Sequence, residues 1–577
     1  MIRLAPSRPL VLFLGLLLLP LVASAQDDIE PPTVTDTYAL ENARVVQAPG
    51  QVLDRATVVV RDGIIEAVGP DAAIPYDARR IAADSLTVYA GFIDGLSHAG
   101  VEMPEADDEE SGDEEVDPGD PPLDRSGIQP DRSVRPFLSP EESSLQKLRK
   151  VGFTAGHVAP KGRMLPGAGA YVLYGGETAN DMMLEATPTR FAQIRGAEGY
   201  VYPATEMAVI ATMRQLFREA ERRQGLQQQY QQSRTGPRPP QDPTHQALMP
   251  VLNGSTPMAF YADDALTIHR VLTLQEELDF PLVLAGLGES FRTLDPLRAA
   301  DAALFLTLAL PEAPETPTDA DTTVADTTTT PGRYYDPDRR TADYSEVAAE
   351  ETNLRLRHAV ERDRYRQAAA TLEEAGLSFG FTTREATPGD VRSHLRTVIE
   401  HGLSADAALA ALTTRPASLL GLDDRLGTVE PGKIANLVVT NGDYFEEDTQ
   451  VQHVFVDGRL YDYAAEGEEG EITGDVSAVV GTWSYTLKTP RGEVGGTLTI
   501  TGDQSGLDGT LENPQGESRP LEAISFDGTT LSFTVDSERG STSVSVTVEG
   551  DTFEGSVSIQ SQTVPITGER TSTPDGR

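Results

Sequence analysis

Between Tyr38 and Gly69, apolar and polar positions alternate in three runs: Tyr38 to Val46, Ala56 to Val60 and Ile64 to Val68. A period of two marks strands with one buried face, and Asp62-Gly63 between the last two runs is a tight hairpin signal. Val88 to Ile93 reads as a fully buried strand ending at Asp94. The pattern then changes. Short apolar runs at 154–158, 170–174, 257–261, 281–285, 303–308 and 377–382 read as strands. Helical periodicity fills much of the space between them, at 205–223, 263–279, 289–299 and 353–375, and continues at 388–400, 404–412 and 415–420. In the helix at 263–279, Leu266, Val271, Leu274 and Leu278 fall on one face. Such alternation predicts a mainly parallel sheet with helices outside it, most simply a closed (β/α)8 TIM-like barrel over 87–422.

Strand patterning returns at Asn436 to Thr440, Val451 to Val456 and Leu460 to Tyr463, the last after Asp457-Gly458. Together with the first runs, these predict a composite β-sandwich from 38–86 and 423–463. Residues 464–477 read as an acidic linker. Beyond it, strand-like runs punctuated by Gly or Asp-Gly predict an eight-stranded antiparallel module over 478–571. Three stretches lack core periodicity: acidic 105–120, Gln- and Pro-rich 225–243, and Thr-, Asp- and Pro-rich 312–350. They are expected to stay outside the core and to tolerate shortening.

Charge narrows the function. Asp and Glu number 90 against 47 Lys and Arg, a net charge of −43, which repels phosphate backbones and excludes general nucleic-acid binding. There is no cysteine, so disulfides, thiolate zinc sites, iron–sulfur clusters and thiol nucleophiles are excluded. Residues 1–25 have the form of a signal peptide: Arg3 and Arg8, an apolar run from Leu10 to Val22, and Ala23-Ser24-Ala25 before the cleavage point. Periplasmic or extracellular export is expected, with no stable membrane insertion.

The segment Tyr89-Ala-Gly-Phe-Ile-Asp-Gly-Leu-Ser-His98 resembles the first-strand signature of the amidohydrolase superfamily, which reads Pro-Gly-Phe-Ile-Asp-x-His-x-His. The stretches 402–422 and 426–439 resemble the closing segment of that family, with Asn436 where Asp is usual. Residues 247–254 resemble its imidazolonepropionase-like branch. The likeness runs over roughly 38–463. It implies a hydrolase of carbon–nitrogen bonds other than peptide bonds, with one or two divalent metals at the C-terminal mouth of the barrel. Such a metal acidifies a bound water for attack on a carbonyl.

The residues depart from that chemistry. Where the resemblance calls for His-x-His, the chain has Leu96-Ser97-His98. Where the fifth strand should end in His it offers Tyr261, the sixth offers no ligand, and in place of the eighth-strand Asp stand Thr383 and Arg384, with Glu385 beyond. No bridging Lys or Glu is evident on the fourth strand. His98 is the single retained ligand-type residue of the motif, and His157, after the second strand, is placed to point into the same mouth. The pocket candidates are therefore Leu96, His98, His157, Tyr261, Thr383, Arg384 and Glu385. Asp94 reads as structural. The six remaining histidines fall on helices, loops or the sandwich and carry no catalytic weight.

Two functions follow. One is a hydrolase with a mononuclear site rebuilt from His98, His157 and Glu385, using a metal such as zinc. The other is a non-catalytic descendant that takes a small-molecule ligand or a partner in the old mouth, with no cofactor expected. In the C-terminal module, Gly481-Thr-Trp483 and Arg570 resemble the lipocalin-like arrangement. That resemblance implies a buried Trp483 under the Arg570 guanidinium; the barrel itself is expected to be filled by side chains.

Overall fold

The computed structural model describes residues 37–103, 116–199, 201–233, 238–311, 357–463 and most of 476–572. Residues 1–25, expected to be a signal peptide, most of 105–120 and the whole of 312–350 lie outside them. Among the described residues, no helix is long and apolar enough to cross a membrane.

The two flanks build one sheet. Strands β1 (Thr37–Ala48), β2 (Gln51–Arg61), β3 (Ile64–Gly69), β4 (Arg79–Ala82) and β5 (Thr87–Ala90) come from the N-terminal side. Strands β14 (Leu437–Thr440), β15 (Val451–Val456) and β16 (Arg459–Asp462) come from the far side of the barrel. Their order is β16-β15-β14-β5-β1-β2-β3, with β4 beside β1. The expected sandwich is thus one continuous sheet. The reason lies in β1, whose register slips at Leu40/Ala43, Ala43/Val45 and Val46/Ala48. Its first half pairs with β4 and its second with β5, so one bent strand serves both layers. Leu40, Val45, Val58, Val60, Val88 and Phe455 form its buried core. The two Asp-Gly turns meet at its edge. A Cβ on Gly63 would lie 2.8 Å from Asp457 Oδ1, and one on Gly458 would lie 2.8 Å from the Gly63 Cα. Both have positive φ, so only glycine meets both demands there.

The central sheet has eight strands in the order β13-β12-β11-β10-β9-β8-β7-β6. They are β6 (Phe92–Ser97), β7 (Phe153–Val158), β8 (Gly167–Leu173), β9 (Met183–Gln193), β10 (Met258–Ala262), β11 (Leu282–Gly286), β12 (Ala302–Thr307) and β13 (Phe379–Thr382). This corrects the (β/α)8 expectation, because β8 runs antiparallel to both neighbours. The links 159–166 and 174–182 are too short for a helical crossover, which needs about a dozen residues or more, so the chain must turn back on itself. Strand β13 lies beside β6 without a backbone ladder. Their junction is closed by side chains: the Thr382 hydroxyl donates to the Leu96 carbonyl, and Thr383 donates to Asp94. The Phe305 ring fills the axis next to Gly95 and Gly380.

Helix α1 (Ser143–Lys150) precedes β7, and α2 (Glu206–Ser233) and α3 (Pro243–Leu252) precede β10. In α2 the buried residues are Val209, Thr212, Met213, Leu216, Phe217 and Ala220, a 3.6-residue stripe that stops well before the helix does. The helix continues into the Gln-rich stretch expected to stay outside the core, and its second half is largely exposed. Helix α4 (Ala265–Leu278) buries Ile268, Val271, Leu272 and Leu274, while Leu266 is exposed, contrary to the sequence reading.

The C-terminal module is a sheet of nine antiparallel strands rather than eight: β17 (Gly481–Thr489), β18 (Gly492–Asp503), β19 (Gly506–Glu512), β20 (Ser518–Pro520), β21 (Glu522–Phe526), β22 (Thr530–Ser537), β23 (Gly540–Glu549), β24 (Thr552–Ile559) and β25 (Gln562–Ser572). The chain breaks at Leu521 between β20 and β21, which form the two ends of the sheet, and Leu521 N–H donates to Gly509 O at 2.9 Å. Trp483 is buried and donates from Nε1 to Val479 O at 2.9 Å. The Arg570 guanidinium carbon sits 4.4 Å from the Trp483 ring centroid. Its nitrogens donate to Ser477 O, at 3.2 Å, and to Ala478 O, so the end of the expected linker, a 3-10 turn at Val476–Ala478, belongs to the module. The interior is only partly filled by side chains, short of the expectation: Trp483, Leu498, Ile500, Phe526 and Phe553 pack in one buried cluster. A cavity of about 190 Å³ remains among Tyr485, Leu511, Phe533, Val544, Val557 and Ile566. Arg570→Ala is expected to destabilise the module by about 1–3 kcal/mol, from the lost cation–π contact and carbonyl bonds. Denaturant melts followed by the emission of Trp483, the single tryptophan, would read this directly. An unchanged midpoint would deny Arg570 its covering role.

Candidate functional site at the barrel mouth

Asp94, on β6, is fully buried. Oδ1 accepts the backbone N–H groups of Leu96, at 3.3 Å, and Thr383, at 3.0 Å. Oδ2 accepts from the Thr383 hydroxyl and, at 3.3 Å, from Tyr174 OH. Burial raises the carboxyl from 3.8 to about 6, against the lowering effect of these donors. Tyr174 OH and Ser97 Oγ, 3.0 Å apart, extend the chain of bonds. Asp94 thus pins the first strand to the last, in keeping with the structural reading, and has no face left for a ligand.

His157 lies inside the barrel. Nδ1–H donates to Gly95 O at 3.2 Å, and Nε2 accepts from the Thr189 hydroxyl at 2.7 Å. Both nitrogens are consumed, and burial lowers the imidazole to about 4, so it stays neutral. His98 stands nearer the rim. Its Nδ1–H donates to Ala159 O at 2.7 Å, and its ring meets Phe191 edge-on at 5.9 Å. Burial first, then the positive field of Arg384, brings it to about 4. Only its Nε2 lone pair is left without a bond that the structure defines.

Arg384 decides the character of the mouth. Its side chain is 6% exposed. The guanidinium carbon lies 4.1 Å from the Tyr261 ring centroid and 5.2 Å from that of Phe191. Nη2 donates to Gln193 Oε1 at 3.0 Å, and the Gln193 amide donates to Gly162 O at 2.5 Å. Glu385 is half exposed, its carboxylate 3.5 Å from Arg384 Nε. Leu96 is fully buried beneath. His98, Tyr261, Thr383 and Arg384 therefore gather at one end of the barrel, whereas His157 is committed to the interior and Glu385 to the rim. Gln193 and Phe191 were missed from the sequence. They end β9, the fourth strand, and the only signal was a Phe-Ala-Gln triplet after a stretch without periodicity.

A divalent metal does not fit these residues. One imidazole lone pair lies in the positive field of a fixed guanidinium, and the buried carboxylate is saturated. Among the described residues, no three His, Cys, Asp or Glu are grouped to hold a metal ion. Three ligands is the usual minimum for a catalytic zinc. The rebuilt site of His98, His157 and Glu385 is therefore not assembled.

Comparison with known proteins meets this geometry from the other side. Residues 313–461 match the amidohydrolase family. An amidohydrolase from Thermotoga maritima MSB8 is 18% identical, with a TM-score of 0.57, covering 74% of this chain and 100% of that one. A Xaa-Pro dipeptidase with bound methionine in its active site is 15% identical over 74% and 100% of the two chains, with a TM-score of 0.40. An adenosine deaminase from Xanthomonas campestris with bound zinc is 16% identical over 74% and 95%, with a TM-score of 0.33. At such identities the first likeness establishes a shared amidohydrolase fold, and the other two add nothing to it. No curated protein sequence matches the chain. Amidohydrolases generally use a divalent metal such as zinc, and the mouth here is built around a cation of its own.

Proposed function

We propose that this chain is an exported, non-hydrolytic relative of the amidohydrolases whose barrel mouth binds a small ligand. The observation that carries the reading is Arg384, a buried guanidinium held between Tyr261 and Phe191 at the mouth. A fixed positive charge there opposes a divalent cation, since like charges in a poorly solvated site repel strongly. The other donors support the same reading: Asp94 and His157 are spent on closing the barrel.

Elemental analysis and turnover assays test it together. The purified mature chain is expected to hold well under one zinc per chain after dialysis against zinc. It is expected to leave N-acyl amino acids and dipeptides uncleaved, with or without added metal. One tightly bound metal per chain, accompanied by hydrolysis that a chelator abolishes, would restore the hydrolase. Arg384→Asp alone is expected to recover no activity, because a single new carboxylate still leaves the ligand set short.

A further inference from the structure

In a chain of net charge −43, three cations converge on the mouth. Arg384 is buried at its centre, while Lys161 and Arg195 stand exposed on its rim. The field of Lys161 reaches His98, and that of Arg195 reaches Arg384. Arg384 is held by its two neighbouring rings and by Gln193, yet Nη1 and Nε have no hydrogen-bond acceptor among the described residues. The acids nearby are engaged elsewhere. Asp263 accepts Gly288 N–H at 2.9 Å, and Glu289 accepts Ala265 N–H at 2.9 Å and Tyr365 OH at 3.2 Å. Glu385 offers only a long approach to Nε from a half-exposed position. A buried guanidinium with unmet donors is costly, and an oxyanion supplies both the charge and the acceptors it lacks.

We propose that the mouth is an oxyanion site in which Arg384 recognises the carboxylate or phosphate group of a small molecule, with Lys161 and Arg195 drawing the anion in. This rests on the reading that the mouth holds no catalytic metal. Tyr261 and Phe191 fix the plane of the guanidinium, so its free N–H groups stand pre-oriented and little freedom is lost on binding.

Calorimetric titration of the mature chain with benzoate, inorganic phosphate and the neutral benzamide tests the proposal. At least one of the two anions is expected to bind, more weakly as salt is added, and which of them binds tells carboxylate from phosphate. Benzamide is expected to bind at least about tenfold more weakly, and Arg384→Gln to weaken the anion about ten- to a hundredfold. Lys161→Gln is expected to act less. Failure of both anions to bind at up to about 10 mM, equal binding of benzamide, or indifference to Arg384→Gln would each overturn it. Should Arg384→Gln fold poorly, the His98 ring resonances of the unaltered chain serve instead: they are expected to move on titration with the anion while those of His245 stay put. An unmoved His98 would overturn the site. Zinc uptake with hydrolysis would overturn the parent reading. An inert, metal-free chain that ignores anions would overturn this inference alone.

Discussion

Asp94→Ala is expected to destabilise the barrel by about 3–5 kcal/mol, since it leaves two buried backbone N–H groups and two hydroxyls without their shared acceptor. Asp94→Asn separates charge from hydrogen bonding. Its carbonyl still accepts from Leu96 and Thr383, and its amide faces two hydroxyls able to turn and accept. The sign of the pH effect follows from the raised carboxyl. The native state holds this proton more tightly than the unfolded chain does, so the contribution of Asp94 falls as pH climbs from about 4 to about 6 and stays low above. A rise from 3.8 to about 6 corresponds to roughly 3 kcal/mol. Asp94→Asn is therefore expected to flatten the stability profile across that window and to lose little at neutral pH. Denaturant melts at several pH values would show it, and a slope unchanged in Asp94→Asn would place the titration elsewhere.

A second large effect is expected at Gly95. A Cβ there would fall 1.9 Å from Phe305 Cδ1 and 2.3 Å from Cγ, in the middle of the barrel. The ring has nowhere to go, since Gly380 already yields to it from the other side, at 2.8 Å. Gly95→Ala should cost about 3 kcal/mol or more, at the upper end of overpacking. Phe305→Leu alone should cost less, and the pair should be more stable than the sum of the two losses predicts. Strict additivity would mean that the barrel relaxes around the new methyl by another route.

What the chain discloses in advance depends on the kind of signal. The strands of the flanking sheet were legible because Tyr38 to Val68 and Asn436 to Tyr463 carry short apolar, β-branched runs that turn at Asp-Gly, although their joining into one sheet was not. The parallel strands were legible as apolar runs between helical stretches. The direction of Gly167–Leu173 was not, because a fully buried strand carries the same pattern whichever way it runs; only the short links on either side betray the reversal. Met183–Gln193 escaped because Pro188 and a mixed burial pattern hide its period. At the mouth, the missing ligands could be read position by position against a motif. That Arg384 would occupy the centre could not, since its placement depends on Gln193 and Phe191, two residues on the one strand the pattern concealed.

The sheet assembled from both flanks has a consequence for how the molecule is made. Thr440 bonds to Thr87 across 353 residues of chain, and β14 covers the side of β5 that would otherwise be an open edge. During synthesis β5 emerges first and waits while the entire barrel is produced. Contacts so distant in sequence form slowly, and an unpaired edge invites association with other chains in the meantime. The last strands of the sheet therefore act as a seal on maturation: a chain truncated before residue 437 would carry a complete set of barrel strands and still expose a sticky margin. Holding the polypeptide unfolded until its full length is available, as passage through a membrane in an extended form would do, removes that hazard.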